Sequence, residues 1–213
     1  EDLLRFDLIR DNIRLETVYS EIIDNIGYIK ITSFDSQTFD DFKATLDQLK
    51  KQNVRGVVLD LRNNPGGSLH ECIKVADEIL GYGLIAYTED RNQNRIEEYY
   101  SDDKKLSLPL SVIINENSAS ASEIVAGAIQ DHKAGTLVGT KTYGKGSVQE
   151  LEPFENGAGL KITIAKYYIP SGRSIDGIGI EPDIKVELDE NVSPFAVPKD
   201  KDIQLQKAIE ILI

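Results

Sequence analysis

Asn115-Glu116-Asn117-Ser118-Ala119-Ser120-Ala121-Ser122-Glu123-Ile124 is the stretch on which the chain turns. The apolar run Leu110-Ser111-Val112-Ile113-Ile114 precedes it and reads as a buried strand. Ile124, Val125, Ala128 and Ile129 follow at helical spacing, with small Ala126 and Gly127 between them. A strand therefore ends, the chain turns, and a helix begins among small hydroxyl residues. A hydroxyl at a helix N-terminus lies beside free backbone N–H groups and the positive end of the helix dipole. That setting suits a nucleophile, and equally it suits a helix cap, because Ser before an apolar helix is the usual cap. Of the three serines, Ser118 best suits the cap and Ser122 falls inside the helix.

Upstream, Val54 to Leu61 is a nearly continuous apolar run, which predicts a strand buried on both faces. It leads through Arg62 into Asn63-Asn64-Pro65-Gly66-Gly67, and Ile73, Val75, Ala76, Ile79 and Leu80 then mark a second helix. A glycine turn of this kind can aim backbone N–H groups at an oxyanion, or it can be a plain strand-to-helix connection. Ahead of it, Phe39, Phe42, Leu46 and Leu49 form the apolar stripe of a helix capped at Asp35-Ser36 and ended at Asn53. Leu3 to Arg10, Ile13 to Ile23 and Ile26 to Phe34 read as strands, with a turn at Asp24-Asn25 and a bulge at Gly27.

Downstream of the second helix, Leu84 to Thr88 and Arg95 to Tyr100 form a hairpin. Thr136 to Gly139, Ser147 to Leu151, Leu160 to Tyr168 and Ile184 to Leu188 are further strands, and 191–201 is a linker. Asp202 to Ile213 is an amphipathic helix with Ile203, Ala208, Ile209 and Leu212 on one side. Strands alternating with helices give the fold class α/β. Between two of these strands, Tyr143-Gly144-Lys145-Gly146-Ser147 sets a lysine between glycines. Such a lysine is either solvated or the base of a Ser-Lys pair.

Four stretches together carry a resemblance. Asn63-Asn64-Pro65-Gly66-Gly67, Ser118-Ala119-Ser120-Ala121-Ser122-Glu123, Tyr143-Gly144-Lys145-Gly146-Ser147-Val148-Gln149 and Tyr167-Tyr168-Ile169-Pro170-Ser171-Gly172-Arg173 occur in this order. The chain resembles the carboxy-terminal processing (tail-specific) serine proteases from about Ile26 to Val186. The resemblance implies a ββα-spiral (ClpP/crotonase-like) core, with Ser120 as nucleophile, Lys145 as base and Gln149 orienting the lysine amine. It implies an oxyanion hole from the N–H of Ala121 with Gly66 or Gly67. No metal and no cofactor belong to that chemistry. A lysine acts as a base only when neutral, so this role calls for Lys145 to be buried. Lys145, Ser147 and Gln149 would share one face of an extended strand. Glu123 and Asp131 match acidic positions of the family, and solvation of a helix is the role expected for them.

The resemblance also implies protein or peptide substrates, such as unfolded chains or C-terminal tails, an extracytoplasmic location, and a homo-oligomer as an open question. Residues 1–12 resemble the last strand of a PDZ-like region, 13–190 the protease core, and 191–213 a linker and helix. The chain starts at Glu1 without methionine and reads as a piece of a longer protein whose PDZ domain lies mostly outside it. Weak, unselective cleavage is the expectation for such a piece. Two other readings compete: a Ser-His hydrolase using His70 or His132, and a non-catalytic ligand-binding module of the same fold.

Composition narrows the field. Hydrophobic residues at 40% and charged residues at 28% fit an ordinary globular protein. A net charge of −12 speaks against binding a phosphate backbone. No apolar run approaches the length that spans a bilayer. The single cysteine, Cys72, excludes an internal disulfide and reads as a small buried hydrophobe.

Overall fold

The two buried strands expected ahead of the glycine turn and the serine turn lie side by side and parallel in one sheet. The computed structural model describes residues 4, 6, 10 and 14–213. The larger sheet has six strands in the order β1-β2-β3-β6-β7-β10. These are β1 (Val18–Ile23), β2 (Ile26–Ile31), β3 (Val57–Asp60), β6 (Leu110–Ile114), β7 (Thr136–Gly139) and β10 (Ile184–Lys185). Only the β1–β2 pair is antiparallel; every other neighbour is parallel. All residues of β3 and β6 are buried, as a strand covered on both faces must be.

Helices α1 (Thr38–Lys51), α2 (Leu69–Ile79) and α3 (Ala121–Asp131) cover one face of this sheet. Their apolar sides meet Ile29, Ile31, Leu59, Leu61, Val112 and Ile114 in the main core. The other face carries α4 (Ile203–Glu210), which closes a smaller cluster of Ile26, Val58, Ile113, Val138, Leu205 and Ala208. The second sheet is antiparallel, in the order β5-β4-β9-β8, from β4 (Gly83–Glu89), β5 (Arg95–Ser101), β8 (Ser147–Pro153) and β9 (Gly159–Tyr168). β9 meets β4 only over Lys166–Tyr168. The rest of the β8–β9 pair projects as a two-stranded ribbon whose residues from Gln149 to Ile164 are exposed.

Several details differ from the sequence expectations. Gly27 is not a bulge, because the β1–β2 register runs unbroken from Ile23↔Ile26 to Val18↔Ile31. A Cβ there would come within 2.7 Å of Leu49 Cδ1, so the glycine lets α1 close on β2. Asp35 and Ser36 do not cap α1. Its N-cap is Gln37, without a side-chain hydrogen bond, and the Thr38 hydroxyl accepts from the Asp35 N–H at 2.8 Å instead. The strand expected from Ile13 starts at Val18, and α4 is shorter than Asp202–Ile213. β10 pairs over two residues only. The strand expected over Leu3–Arg10 falls largely outside the described residues.

Candidate active site

The C-terminal ends of β3 and β6 deliver two turns to the same edge of the parallel sheet, which is where ligands bind in open α/β sheets. Each turn is built from its own polar residues. After β6, the Ser118 hydroxyl donates to Leu61 O at 2.8 Å and accepts from the Asn115 N–H at 3.0 Å. Ser122 donates to Asn64 O at 3.0 Å. Both serines are fully buried. They stitch the serine turn to the β3 turn and have no access to a substrate. Ser118 therefore does not cap α3 as expected; the N-cap is Ser120.

Ser120 is the partly exposed member of the three. Its backbone lies at φ 56°, ψ −114°, a region that an L side chain rarely occupies. Strain of this kind is held only where the surroundings over-determine it, and it clusters at functional sites. The N–H of Ala121, next in the chain, opens α3 and has no hydrogen-bond partner among the described residues.

The β3 turn closes directly on this residue. Gly66 adopts φ 101° and Gly67 φ 138°. A Cβ on Gly66 would come within 2.8 Å of Ser120 Cβ, so only glycine lets the two turns touch. The Gly66 N–H is engaged, donating to Asn64 Oδ1 at 2.9 Å. Gly67 is exposed, and its N–H has no partner among the described residues. Of the two glycines named from sequence, Gly67 is the one with a free donor, and Gly66 supplies the close approach.

Glu123 joins this turn to the lysine segment. It is fully buried, so the helix-solvation role expected of it is wrong. Oε2 accepts from the N–H of Ser120 at 2.8 Å and from the N–H of Lys145 at 2.8 Å. Oε1 accepts from the Thr142 hydroxyl at 2.6 Å and the Gly144 N–H at 2.6 Å. One carboxylate oxygen thus bridges the backbones of the two residues assigned as nucleophile and base. No cation pairs with it among the described residues; four donors and the N-terminus of α3 hold the charge. The signal was in the sequence, since Ser-x-x-Glu before an apolar helix is a capping box. Its partners near Thr142 lie about twenty residues downstream, where no local pattern reaches.

The lysine half is built differently. Gly146 packs so closely that a Cβ would meet Asp176 N at 2.3 Å. The side chain of Lys145 is nevertheless exposed, and no hydrogen bond joins it to Ser120 among the described residues. The burial expected for a lysine base is therefore not present, because the segment leaves the core at the root of the projecting ribbon. Gln149 is also exposed. Beside it the β8–β9 register shifts, Val148 facing Ala165 and Gln149 facing Thr163, so that the extra residue, Ile164, lies on β9.

The histidines are placed elsewhere. His70 is exposed on α2, and the His132 ring contacts Leu84 O at 2.7 Å. Asp131 accepts from the Ser171 N–H at 2.8 Å and pairs with Arg173 at 3.1 Å. It thereby fixes the Tyr167–Arg173 segment.

Known proteins resemble this chain over most of its length. The carboxy-terminal-processing protease of Bartonella bacilliformis is 45% identical over 194 residues, covering 86% of this chain and 44% of that protein. The carboxyl-terminal-processing protease of a Synechocystis strain is 38% identical over 213 residues, covering 97% of this chain and 49% of that protein. The chain thus spans about half the length of the curated relatives it matches. Among solved structures, a photosystem II D1 C-terminal processing protease superposes with a TM-score of 0.78 at 30% identity, over 95% of this chain and 54% of that one. The family described as Peptidase family S41 matches residues 25–186, which include both turns, Glu123 and the lysine segment, and the chain belongs to that family.

Proposed function

We propose that the chain is the catalytic core of a carboxy-terminal processing serine endopeptidase working through Ser120, Lys145 and Gln149. Ser120 Oγ attacks the scissile carbonyl carbon, and its proton passes to the neutral amine of Lys145. The oxyanion that forms is met by the N–H groups of Ala121 and Gly67, with Gly66 giving the close approach. Collapse expels the amine half of the substrate, which takes the proton from Lys145. Water then hydrolyses the acyl-Ser120 ester by the reverse relay. Gln149 orients the lysine amine. The core, residues 13–190, is read as a ββα-spiral of the ClpP/crotonase type. Residues 1–12 are read as the end of a PDZ-like region, and 191–213 as a linker and helix. The substrates are unfolded or C-terminal polypeptide segments, and the location is extracytoplasmic, as the family resemblance implies.

The observation that carries this reading is the strained Ser120 at the head of α3, followed by the unengaged N–H of Ala121 and packed against the Gly66-Gly67 turn, whose Gly67 N–H is also unengaged among the described residues. The exposed Lys145 favours a second reading, a ligand-binding module without catalysis. One comparison separates them. Ser120→Ala is expected to lower cleavage of a disordered protein by at least about 10³-fold while leaving Tm nearly unchanged. Cleavage that survives Ser120→Ala would end the assignment. Wild-type protein that binds peptide and neither cleaves it nor reacts with a fluorophosphonate at Ser120 would support the binding module.

A further inference from the structure

We infer that Asp202, at the far end of the chain, is a positioning residue for the oxyanion turn and acts through Arg62. The inference rests on the reading of Gly67 and Ala121 as oxyanion donors. Arg62 is buried and is the last residue before the Asn63–Gly67 turn. Its guanidinium is divided between two carboxylates. Nε donates to Asp60 Oδ1 at 3.0 Å, and Nη2 to Asp60 Oδ2 at 2.6 Å. Nη1 donates to Asp202 Oδ1 at 2.9 Å, and Nη2 to Asp202 Oδ2 at 2.8 Å. Nη1 also reaches Gln204 Oε1 at 3.1 Å. Asp60 ends the strand that leads into the turn and accepts from the Tyr28 hydroxyl of β2 at 2.7 Å, so it ties Arg62 to the sheet and to nothing beyond it. Asp202 comes from 140 positions away and is also the N-cap of α4, accepting from the Leu205 N–H at 3.0 Å.

A second tie runs in parallel. Asn63 Nδ2 donates to Pro194 O at 2.7 Å. Between the two ties lies a cavity of about 200 Å³ bounded by Tyr28, Lys30, Arg62, Asn63, Pro194 and Asp202. On this side the turn is therefore held at two points and not by continuous packing. α4 packs on an apolar cluster of its own, and the polar bonds fix where its N-terminus meets Arg62. Two carboxylates on one guanidinium leave a buried net negative charge, and apolar residues of similar volume are often at least as stable in such a place. Geometry is the better account of the arrangement: a bidentate arginine–carboxylate pair fixes orientation as well as distance.

The test is Asp202→Asn in the full chain, which keeps the shape and removes the charge. The expected result is a kcat lower by about tenfold with KM within about twofold, since the substrate is not touched. Affinity for a peptide aldehyde, whose hemiacetal oxygen needs the oxyanion donors, should weaken in step with kcat. Affinity for the matching peptide alcohol should not change. Hydrogen exchange at the buried Gly66 amide, which is bonded to Asn64 Oδ1, measured well below the melting transition, should quicken, and Asp202→Glu should recover part of each effect. If Asp202→Asn does not fold, the same measurements on Gln204→Ala decide, with an expected kcat loss of about twofold to threefold. A folded variant with unchanged kcat, aldehyde affinity and exchange overturns the inference. The exchange measurement needs no turnover. A wild-type chain without Ser120-dependent cleavage would sink the peptidase reading while faster exchange in Asp202→Asn still upheld the link from Asp202 to the turn.

Discussion

The two halves of the candidate site are built to different standards. The serine half is embedded: Ser118, Ser122, Asn64 and Glu123 are all buried, and their polar atoms bond one another or the backbone. The lysine half is anchored by its backbone and open at its side chains. The Gly144 and Lys145 N–H groups are fixed on Glu123, while Lys145 and Gln149 project at the root of a ribbon that exposes Leu151, Leu160, Ile162 and Ile164. A two-stranded ribbon gains little stability alone. The position of Ser120 is thus a property of the core. The environment of Lys145 depends on what meets the ribbon.

Lys145→Arg tests that division most severely. An arginine can keep the position and the charge of the lysine, yet it stays protonated and cannot serve as a base. The expected loss of turnover is at least about 10³-fold, equal to that of Lys145→Ala. Tm should move little, because an exposed side chain away from specific contacts contributes within about ±0.5 kcal/mol. Wild-type turnover in the Arg variant, measured by steady-state cleavage, would remove lysine from the chemistry and leave the serine half to act with another base.

Glu123→Gln sharpens the comparison from the opposite side. Each carboxylate oxygen accepts from two donors, so an amide NH2 in place of either one must face two of them. Leaving a buried donor unsatisfied costs about 1–3 kcal/mol, and thermal denaturation should show that loss. Where the NH2 takes the Oε2 side it also unlinks Ser120 from Lys145, and kcat should then fall by about 10- to 100-fold with KM nearly constant. A variant that lost stability but kept kcat would make Glu123 a purely structural residue of the α3 terminus.

These features were unevenly legible in the sequence. The strand-turn-helix units at 54–80 and 110–131 were readable because a parallel strand buried on both faces must be continuously apolar, and Val57–Asp60 and Leu110–Ile114 nearly are. The helix stripes followed from their spacing. Ser120 was singled out by resemblance, since three serines at alternate positions look alike until their hydroxyls are placed. Glu123 was misjudged because an acidic residue in a first helical turn is usually solvated, and the donors that bury it come from another segment. The pairing of Arg62 with Asp202 had no local signature at a separation of 140 residues. The exposure of Lys145 follows from β9 leaving β4 after three paired residues, a matter of tertiary geometry that strand periodicity does not record.

The smallest expected effect concerns strain in the serine half. Ser120 holds φ 56°, ψ −114°, and non-glycine residues in such regions cost on the order of 1–3 kcal/mol. Glycine adopts the conformation freely but adds about 0.5–1 kcal/mol of conformational freedom to the unfolded chain. Ser120→Gly should therefore come out more stable than wild type by roughly 0.5–1 kcal/mol. For a chain of this size that is a rise in Tm of about 1–4 °C. Ser120→Ala keeps the strained Cβ and should gain nothing. Ser118→Gly offers the contrast within the same turn. Its hydroxyl makes two buried hydrogen bonds, to Leu61 O and from Asn115 N, so this variant should lose about 1–3 kcal/mol. The two glycine variants remove serine hydroxyls two positions apart, and only the position carrying the strain should gain from it. A Ser120→Gly protein that melts below wild type would show that the backbone at Ser120 is relaxed. The turn would then be an ordinary helix start, and the case for a nucleophile held there would lose its main physical support.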